Sequence, residues 1–227
     1  MYKKMFQILK YAGITISFTF ALLLVIAVVY GAKGYQDASS DANKLRTRAN
    51  QLIIQNRGGD SLGADHLAIL LTVEDPNFSK HSGVDFSTAG AGLTTITQSA
   101  AKRLAFQQFR PGFNKIRQTG YALGLERHLT KEQILALWLD TLEMGNGPNG
   151  WMIGFHLASS TIYGRPPAEL TNIEFIRLVA VLIAPNSYSL ISNDPKLDER
   201  VARIQRLVAG TCEPSSLLDV WLKECGK

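Results

Sequence analysis

Two adjacent acids, Glu74 and Asp75, come directly after the apolar run LAILLTV. A carboxylate at the end of an apolar helix is partly shielded from water, and this shielding raises its pKa towards neutrality. Such a group can accept the proton of a weakly acidic hydroxyl while that oxygen forms a new bond. The alternative is that the pair simply ends a helix in solvent. The sequence thus presents Glu74 as a candidate general base, and Asp75 as a group better suited to orienting its neighbours.

A short polar loop follows these acids and carries Phe78, His81, Gly83 and Asp85. We expect Phe78 and His81 to position the loop, and Gly83 to supply a backbone turn that a side chain would forbid. A lone histidine can equally be structural or solvated, so the role of His81 stays open at this point.

Helical periodicity dominates the chain from residue 61 onwards. Leu67, Leu70 and Leu71 follow the i, i+3, i+4 spacing of a buried helix face. Later helices begin with N-cap threonines or capping boxes, in TTITQ, in Thr130 with Gln133, and in Thr171 with Glu174. The segment GNGPNGW indicates a loop, and no run shows the alternation of a strand. The sequence therefore predicts a mostly helical domain.

The N-terminal end predicts membrane attachment. A basic segment, residues 1–10, precedes an uncharged apolar stretch, residues 11–30, which is long enough to cross a bilayer as a helix. The alternative, a cleaved secretory signal, has a shorter apolar core of roughly 7–15 residues. Lysines before the span favour a cytoplasmic N-terminus, with the rest of the chain outside. We therefore predict a cytoplasmic segment, a transmembrane anchor, a stalk or linker over residues 31–60 with one helical piece, and a domain over residues 61–227.

Composition narrows the range of partners. The 227 residues are 46% hydrophobic and 19% charged, with a net charge of +5, which is typical of a folded chain. The positive net charge suits phosphate or an acidic membrane as a partner. The chain has no dense Lys/Arg run of the kind that would predict nucleic-acid binding.

The two cysteines, Cys212 and Cys225, could pair in an oxidising compartment and fasten a terminal helix. Without other cysteines or histidines nearby, they do not indicate a zinc site.

Five consecutive sequence blocks resemble the bacterial peptidoglycan glycosyltransferases, that is, the transglycosylase domain of bifunctional penicillin-binding proteins and their monofunctional relatives. The resemblance extends over residues 67–195. In chain order, the blocks are E-D-x-x-F-x-x-H-x-G-x-D from Glu74 to Asp85, GLTTITQSAAK ending at Lys102, NKIRQTGYALGLERHLTKEQIL, GFHLASSTIYGR and TNIEFIRLVAVLIAPNSY. The resemblance implies a mostly α, lysozyme-like fold behind the anchor.

The resemblance also implies a reaction, the polymerisation of a lipid-linked disaccharide (lipid II) into glycan strands. The 4-hydroxyl of an acceptor sugar attacks the anomeric carbon of a donor, undecaprenyl diphosphate leaves, and Glu74 would be the base. The substrate-binding positions that carry over are Asp75, Phe78, His81, Thr95, Thr97, Gln98, Lys102 and Lys115. Lys102, Lys115 and the helix amides around residues 94–98 would hold the diphosphate, unless the two lysines are ordinary solvated charges.

The third block departs from the family pattern R-K-x-x-E, because it reads Asn114, Lys115 and Gln118 at the three named positions. Gln118 therefore stands at the second catalytic position, where the family has glutamate, and Asn114 removes a bidentate phosphate donor. Glu126 lies about 12 Å further along a helix and does not obviously replace the missing acid. The segment between Asp85 and GLTTITQ is also shorter than the family's mobile segment. Three functions stay open: a polymerase, a catalytically impaired homologue that binds glycan or lipid-linked precursor as a scaffold or regulator, and a glycan-cleaving enzyme.

The resemblance further implies partners and a location. The partners are the lipid-linked disaccharide, the glycan strand, the membrane and other cell-wall synthesis proteins. The location is the bacterial cytoplasmic (inner) membrane, with a single span and the domain on the periplasmic or extracellular side. We expect a monofunctional protein, because no transpeptidase domain fits. No cofactor is firmly implied, although the resemblance allows a divalent cation, Mg or Mn. The segment RLAFQQFRPGF suits either a membrane headgroup boundary or a core face with solvated arginines.

Overall fold

The computed structural model describes the backbone of residues 2–227 and the side chains of residue 11 and residues 14–227. The basic segment predicted for residues 1–10 therefore lies outside the described side chains. The described chain forms eight α-helices and one antiparallel hairpin, which confirms the prediction of a mostly helical protein. The elements are α1 Tyr2–Ile54, α2 Ala64–Glu74, α3 Ile96–Ala105, α4 Phe113–His128, α5 Lys131–Thr141, β1 Glu143–Gly147, β2 Gly150–Ile153, α6 Phe155–Tyr163, α7 Asn172–Val181 and α8 Pro195–Val208.

Helix α1 combines a candidate membrane span with a part of the domain. From Ile14 onwards it contains a stretch that is apolar and long enough to cross a membrane, and many large apolar side chains between residues 14 and 29 are exposed. The second half buries one face against the domain, through Ala38, Leu45, Ala49 and Leu52. The stalk predicted for residues 31–60 is therefore wrong for residues 31–54. The sequence there is polar overall because only one narrow face, partly made of alanines, meets the core.

Helices α1 and α4 cross at very short distance because glycines face each other. A Cβ atom at Gly34 would lie 2.0 Å from the carbonyl oxygen of Arg117, and a Cβ atom at Gly120 would lie 2.0 Å from that of Gly31. Beside this contact, Arg117 donates from Nη2 to Asp37 Oδ2 at 2.7 Å. Helix α1 and helix α4, which carries Lys115 and Gln118, thus form one packed unit.

The core is centred on α5, whose side chains are buried on nearly every face. Its fully or almost fully buried members are Ile134, Leu135, Ala136, Leu137, Trp138 and Leu139. Burying each large apolar side chain stabilises the fold by about 1.5–3 kcal/mol relative to leaving it exposed. Around this helix lie α1, α3, α4 and α6, so the elements that carry the candidate site residues share one core.

Local capping signals place the helix starts where the sequence predicted them. Capping boxes are present at α3, α5 and α7, formed by Thr95 with Gln98, Thr130 with Gln133 and Thr171 with Glu174. Helix α6 ends at Gly164, which adopts a left-handed backbone conformation with φ of +69°.

Two predictions of local structure were wrong. The segment read as a loop, residues 145–151, is the central part of a hairpin in which Glu143 pairs with Ile153 and Gly147 with Gly150. Its strands are short, rich in glycine and interrupted by a register shift, so they carry no clear alternation. The C-terminal segment forms turns and a short 3-10 helix rather than the expected terminal helix. Cys212 and Cys225 are nevertheless joined by a disulfide, as the sequence allowed.

Candidate active site

Asp75 connects the end of α2 to the start of α3. It is buried, and its Oδ2 accepts a hydrogen bond from the backbone N–H of Ile96 at 2.9 Å. The Gly83 N–H donates to His81 Nδ1 at 3.1 Å, so the histidine proton lies on Nε2, which donates to Asp75 Oδ1 at 2.9 Å. Burial raises the pKa of Asp75, and the bonds from Ile96 and His81 oppose this rise. Asp75 therefore orients α3 and the loop, and it is not among the described residues that line the cavity between Lys102 and Lys115.

The loop after α2 is held from both sides. Phe78 is buried, and the Lys131 ammonium lies 4.5 Å from the centre of its ring. The same ammonium donates to the carbonyl oxygen of His81 at 2.7 Å and to Glu126 Oε1 at 2.8 Å. Gly83 has φ of +101°, a conformation that side chains rarely adopt. Phe78, His81 and Gly83 thus shape the loop, as the sequence suggested.

The first turn of α3 is a buried junction between elements. The Thr95 hydroxyl donates to the carbonyl oxygen of Gly83 at 2.8 Å, and Thr97 donates to Glu126 Oε1 at 2.5 Å. Gln98 Nε2 donates to Thr119 Oγ1 on α4 at 3.0 Å. These three side chains fix α3 in place, and their direct contact with a substrate stays a prediction.

The two predicted phosphate-binding lysines meet at one cleft. A cavity of about 500 Å³ is lined by Lys102, Lys115 and Gln118, together with Thr94, Ser99, Arg103, Phe109, Leu142, Glu143 and residues 182–187. The ammonium of Lys115 donates to Thr94 Oγ1 at 3.0 Å. Burial, and then the positive charge of Lys102, lower the pKa of Lys115. Mutual repulsion of this kind is relieved by an anion that both lysines contact.

Arg103 connects Glu74 electrostatically to this cleft. Glu74 is partly buried, and burial raises its pKa from 4.5 to about 7, against the opposing effects of Arg200 and Arg103. Arg103 lines the cleft and interacts electrostatically with both Glu74 and Glu143. Glu74 itself is not among the described residues that line this cavity. A carboxyl group that titrates near neutrality can both take up and release a proton at physiological pH.

Gln118 occupies the cleft as a neutral, buried group. Only 1% of the residue is exposed, and Nε2 donates to the carbonyl oxygen of Gln98 at 2.6 Å. Among the described residues, no hydrogen-bond donor meets its Oε1. Glu126 does not substitute for the missing acid, because its carboxylate is bound by Thr97 and Lys131.

Sequence reasoning did not assign site roles to Arg103, Arg200 and Glu143. Arg103 lies in RLAFQQFRPGF, where a headgroup contact or a solvated side chain was considered, but in the structure it lines the cleft. Arg200 is buried on α8, far along the chain from Glu74. No local pattern marks Arg103 or Glu143, because their roles arise only where separate elements meet. A charged residue inside an otherwise apolar helix face, such as Arg200, was the one available signal.

The remaining aromatics of RLAFQQFRPGF pack on neighbouring cations and rings. Phe106 meets Phe109 edge-on with ring centres 5.3 Å apart, and Lys102 lies 5.5 Å from the ring centre of Phe109. Phe113 stacks on Tyr30 of α1 at 5.2 Å yet stays 47% exposed. The end of this segment therefore lies next to helix α1.

The resemblance allows a divalent cation, Mg or Mn, and its presence stays a prediction. The described part of the chain has no group of three or more His, Cys, Asp or Glu side chains placed to hold a metal ion. The charged groups that act on Glu74 include two guanidinium groups, which repel a cation.

The cleft carries two lysines, Lys102 and Lys115, and Arg103 connects it electrostatically to Glu74, whose pKa is about 7. This arrangement is suited to group transfer on an anionic substrate. The family model described as Transglycosylase matches residues 58–209, and the chain belongs to this family, which has the lysozyme-like helical fold. The chain is 32% identical to penicillin-binding protein 1A of Pseudomonas aeruginosa over 149 residues, 60% of this chain and 18% of that protein. It is 30% identical to penicillin-binding protein 2D of Bacillus subtilis over 151 residues, 61% of this chain and 21% of that protein.

A shorter relative matches over more of its own length. The biosynthetic peptidoglycan transglycosylase of a Marinomonas species is 32% identical over 145 residues, 59% of this chain and 63% of that protein. The matched region therefore spans about a fifth of the two penicillin-binding proteins and less than two thirds of the shorter relative.

Proposed function

We propose that this protein is a peptidoglycan glycosyltransferase that joins lipid II units into glycan strands and releases undecaprenyl diphosphate. One observation carries the proposal: Lys102 and Lys115 converge on a cleft that is linked through Arg103 to Glu74, an acid with a pKa of about 7. Membership of the Transglycosylase family supports the same reaction class.

The reaction needs a base and an anion site, and the chain supplies candidates for both. As the 4-hydroxyl oxygen of the acceptor bonds to the anomeric carbon of the donor, Glu74 takes up the hydroxyl proton, directly or through one water. The bond from the anomeric carbon to the diphosphate breaks, and its electron pair stays on the diphosphate oxygen. Lys102 and Lys115 stabilise this growing negative charge. Arg103 keeps positive charge near Glu74, which favours its carboxylate form.

The setting of the domain suits a lipid-borne substrate. Helix α1 continues from the candidate span directly into the domain, so the cleft helix α4 is packed on the membrane-side helix. We propose that the domain lies on the outer side of the cytoplasmic membrane. The lysines that precede the span and the disulfide between Cys212 and Cys225 support this side.

A second candidate is favoured by Gln118. A neutral amide at this position lacks the charge of a second catalytic carboxylate, so the protein could bind lipid-linked precursor or glycan without polymerising it. The cationic cleft would then serve as a binding site for a scaffold or regulator of cell-wall synthesis.

The two candidates differ in product formation. The full chain, purified in detergent, is incubated with fluorescent lipid II, and products are separated on a gel, for the wild type and for Glu74→Gln and Gln118→Glu. Glycan polymer from wild type and none from Glu74→Gln supports the polymerase. Polymer only from Gln118→Glu supports the impaired homologue.

Binding is measured separately with the same fluorescent lipid. The double variant Lys102→Ala/Lys115→Ala should bind at least about tenfold more weakly, because two charge-assisted contacts are lost. Lys196→Ala, which removes an exposed lysine on α8, is the matched control and should bind like wild type. Equal binding by the double variant and the control would refute the assigned anion site.

A further inference from the structure

The neutral Gln118 raises the question of which acid supplies negative charge to the cleft. Asp75 is buried in its bonds to Ile96 and His81, and Glu126 is bound by Thr97 and Lys131. Glu74 interacts electrostatically with Arg103, which lines the cleft, but Glu74 is not among the described lining residues. Among the described side chains that line the cleft, the carboxylate belongs to Glu143.

The hairpin places Glu143 in the lining of the cleft. It is the first residue of β1, follows the end of α5 by two residues and pairs with Ile153 of β2. The Gly154 N–H donates to the carbonyl oxygen of the preceding residue, Leu142, at 2.7 Å, which fixes the backbone at this point. Glu143 is exposed, so its carboxylate can meet a ligand without first leaving a buried contact.

Glu143 lines two neighbouring cavities rather than one. The cleft of about 500 Å³ contains Gln118, and a second cavity of about 300 Å³ contains Phe106 and Thr141. Lys102, Arg103, Phe109 and Glu143 line both cavities. Glu143 thus lies between the two cavities, together with these two cations and the Phe109 ring.

Arg103 ties Glu143 to the proposed base. Arg103 Nε donates to Thr141 Oγ1 at 3.3 Å, which holds the guanidinium beside the end of α5. The same guanidinium interacts electrostatically with both Glu143 and Glu74. The carboxylates of Glu74 on α2 and Glu143 on the hairpin therefore both lie within electrostatic range of one shared cation.

We propose that Glu143 is the second carboxylate of this site and acts where Gln118 cannot; this inference rests on the proposed function. As the bond between the anomeric carbon and the diphosphate breaks, positive charge develops on the donor sugar. The Glu143 carboxylate stabilises that charge, while Glu74 accepts the proton and the lysines hold the leaving diphosphate. Glu143 neither gains nor loses a proton in the step.

The test compares Glu143→Gln and Glu143→Asp with wild type in steady-state polymerisation of lipid II. We expect Glu143→Gln to lower kcat by about 100-fold, in the range of one electrostatic catalytic group, with KM within about twofold of wild type. Glu143→Asp keeps the charge and should recover a large part of the lost rate. Glu213→Gln, which changes an exposed glutamate in a loop, is the matched control and should resemble wild type.

Each contrary result has a distinct meaning. If Glu143→Gln matches wild type while Glu74→Gln is inactive, the assignment of Glu143 is wrong and the proposed function stands. If Glu143→Gln raises KM at unchanged kcat, or if Glu143→Asp is no better than Glu143→Gln, the carboxylate does not act in the transition state. If wild type makes no polymer, the proposed function fails and the role of Glu143 fails with it. Thermal melting of each variant verifies that the comparison is made on folded protein.

Discussion

The amide of Gln118 donates a hydrogen bond from Nε2 to the backbone carbonyl oxygen of Gln98 at 2.6 Å. This bond joins α4 to α3 in a buried position, next to the bond between Gln98 and Thr119. An ionised carboxylate has no proton to donate and would face the carbonyl oxygen instead. In this chain, position 118 is therefore adapted to an amide and serves the packing of two helices.

Gln118→Glu should consequently destabilise the protein above neutral pH. Loss of the bond and burial of a charge beside an acceptor cost about 1–3 kcal/mol. The new carboxyl would have a raised pKa in the folded state, so the penalty is present at high pH and disappears as pH falls and the group is protonated. Thermal melts at about pH 8 and about pH 5 measure this, with Gln205→Glu on the exposed face of α8 as control. A melting difference from wild type that is equal at both pH values would contradict the argument.

Glu74 should make stability depend on pH. Its pKa rises from 4.5 to about 7 on folding, so the folded state binds more protons than the unfolded state between these values. Stability therefore falls as pH rises through this window. Glu74→Gln removes the effect, so the melting temperature of the variant relative to wild type should increase from pH 5 to pH 8. A constant difference across that range would show that Glu74 titrates normally.

The glycine contact between α1 and α4 predicts a sharp contrast between two neighbouring glycines. Gly34→Ala places a methyl group 2.0 Å from the Arg117 carbonyl oxygen, and the forced separation of the helices should cost about 1–3 kcal/mol. Gly31→Ala is the control, because the nearest atom to its new methyl group is 3.9 Å away. Melting in detergent should show a lower transition for Gly34→Ala alone. Equal melting of both variants would mean that the helices do not pack this closely.

The C-terminal disulfide should protect a segment close to the cleft. The N–H groups of Gly90 and Gly92 donate to the carbonyl oxygens of Ser216 and Leu217 at 2.9 and 3.0 Å, within the loop closed by Cys212 and Cys225. Replacing both cysteines by serine should cost about 2–4 kcal/mol. Hydrogen exchange should accelerate at Gly90 and Gly92. The amide of Ile96, bound to buried Asp75, is the internal control and should remain protected. Unchanged exchange at both glycines would contradict a role of the disulfide in holding this segment.

The sequence predicted the features that local chemistry determines. The capping boxes at Thr95, Thr130 and Thr171 lie where the pattern placed them, because each depends on residues within one turn. The family blocks also identified the two lysines that meet in the cleft.

Features that depend on contacts between distant segments could not be predicted in the same way. The polar second half of α1 belongs to the domain through a narrow face, and the hairpin is too short and too rich in glycine to show alternation. Arg103 and Glu143 gain their roles only because α3 and the hairpin border the same cleft. Nothing in the local sequence around either residue indicates this.

The pH dependence of lipid II polymerisation tests the central claim, proton transfer to Glu74, most directly. Rates are measured from about pH 5 to about pH 9 for wild type, with Glu74→Gln alongside. The account predicts that kcat/KM rises about tenfold per pH unit below pH 7 and levels off above it, following the pKa of about 7. It also predicts at least about a 100-fold loss in Glu74→Gln. A flat wild-type profile across this range, or a Glu74→Gln variant that polymerises like wild type, would contradict it.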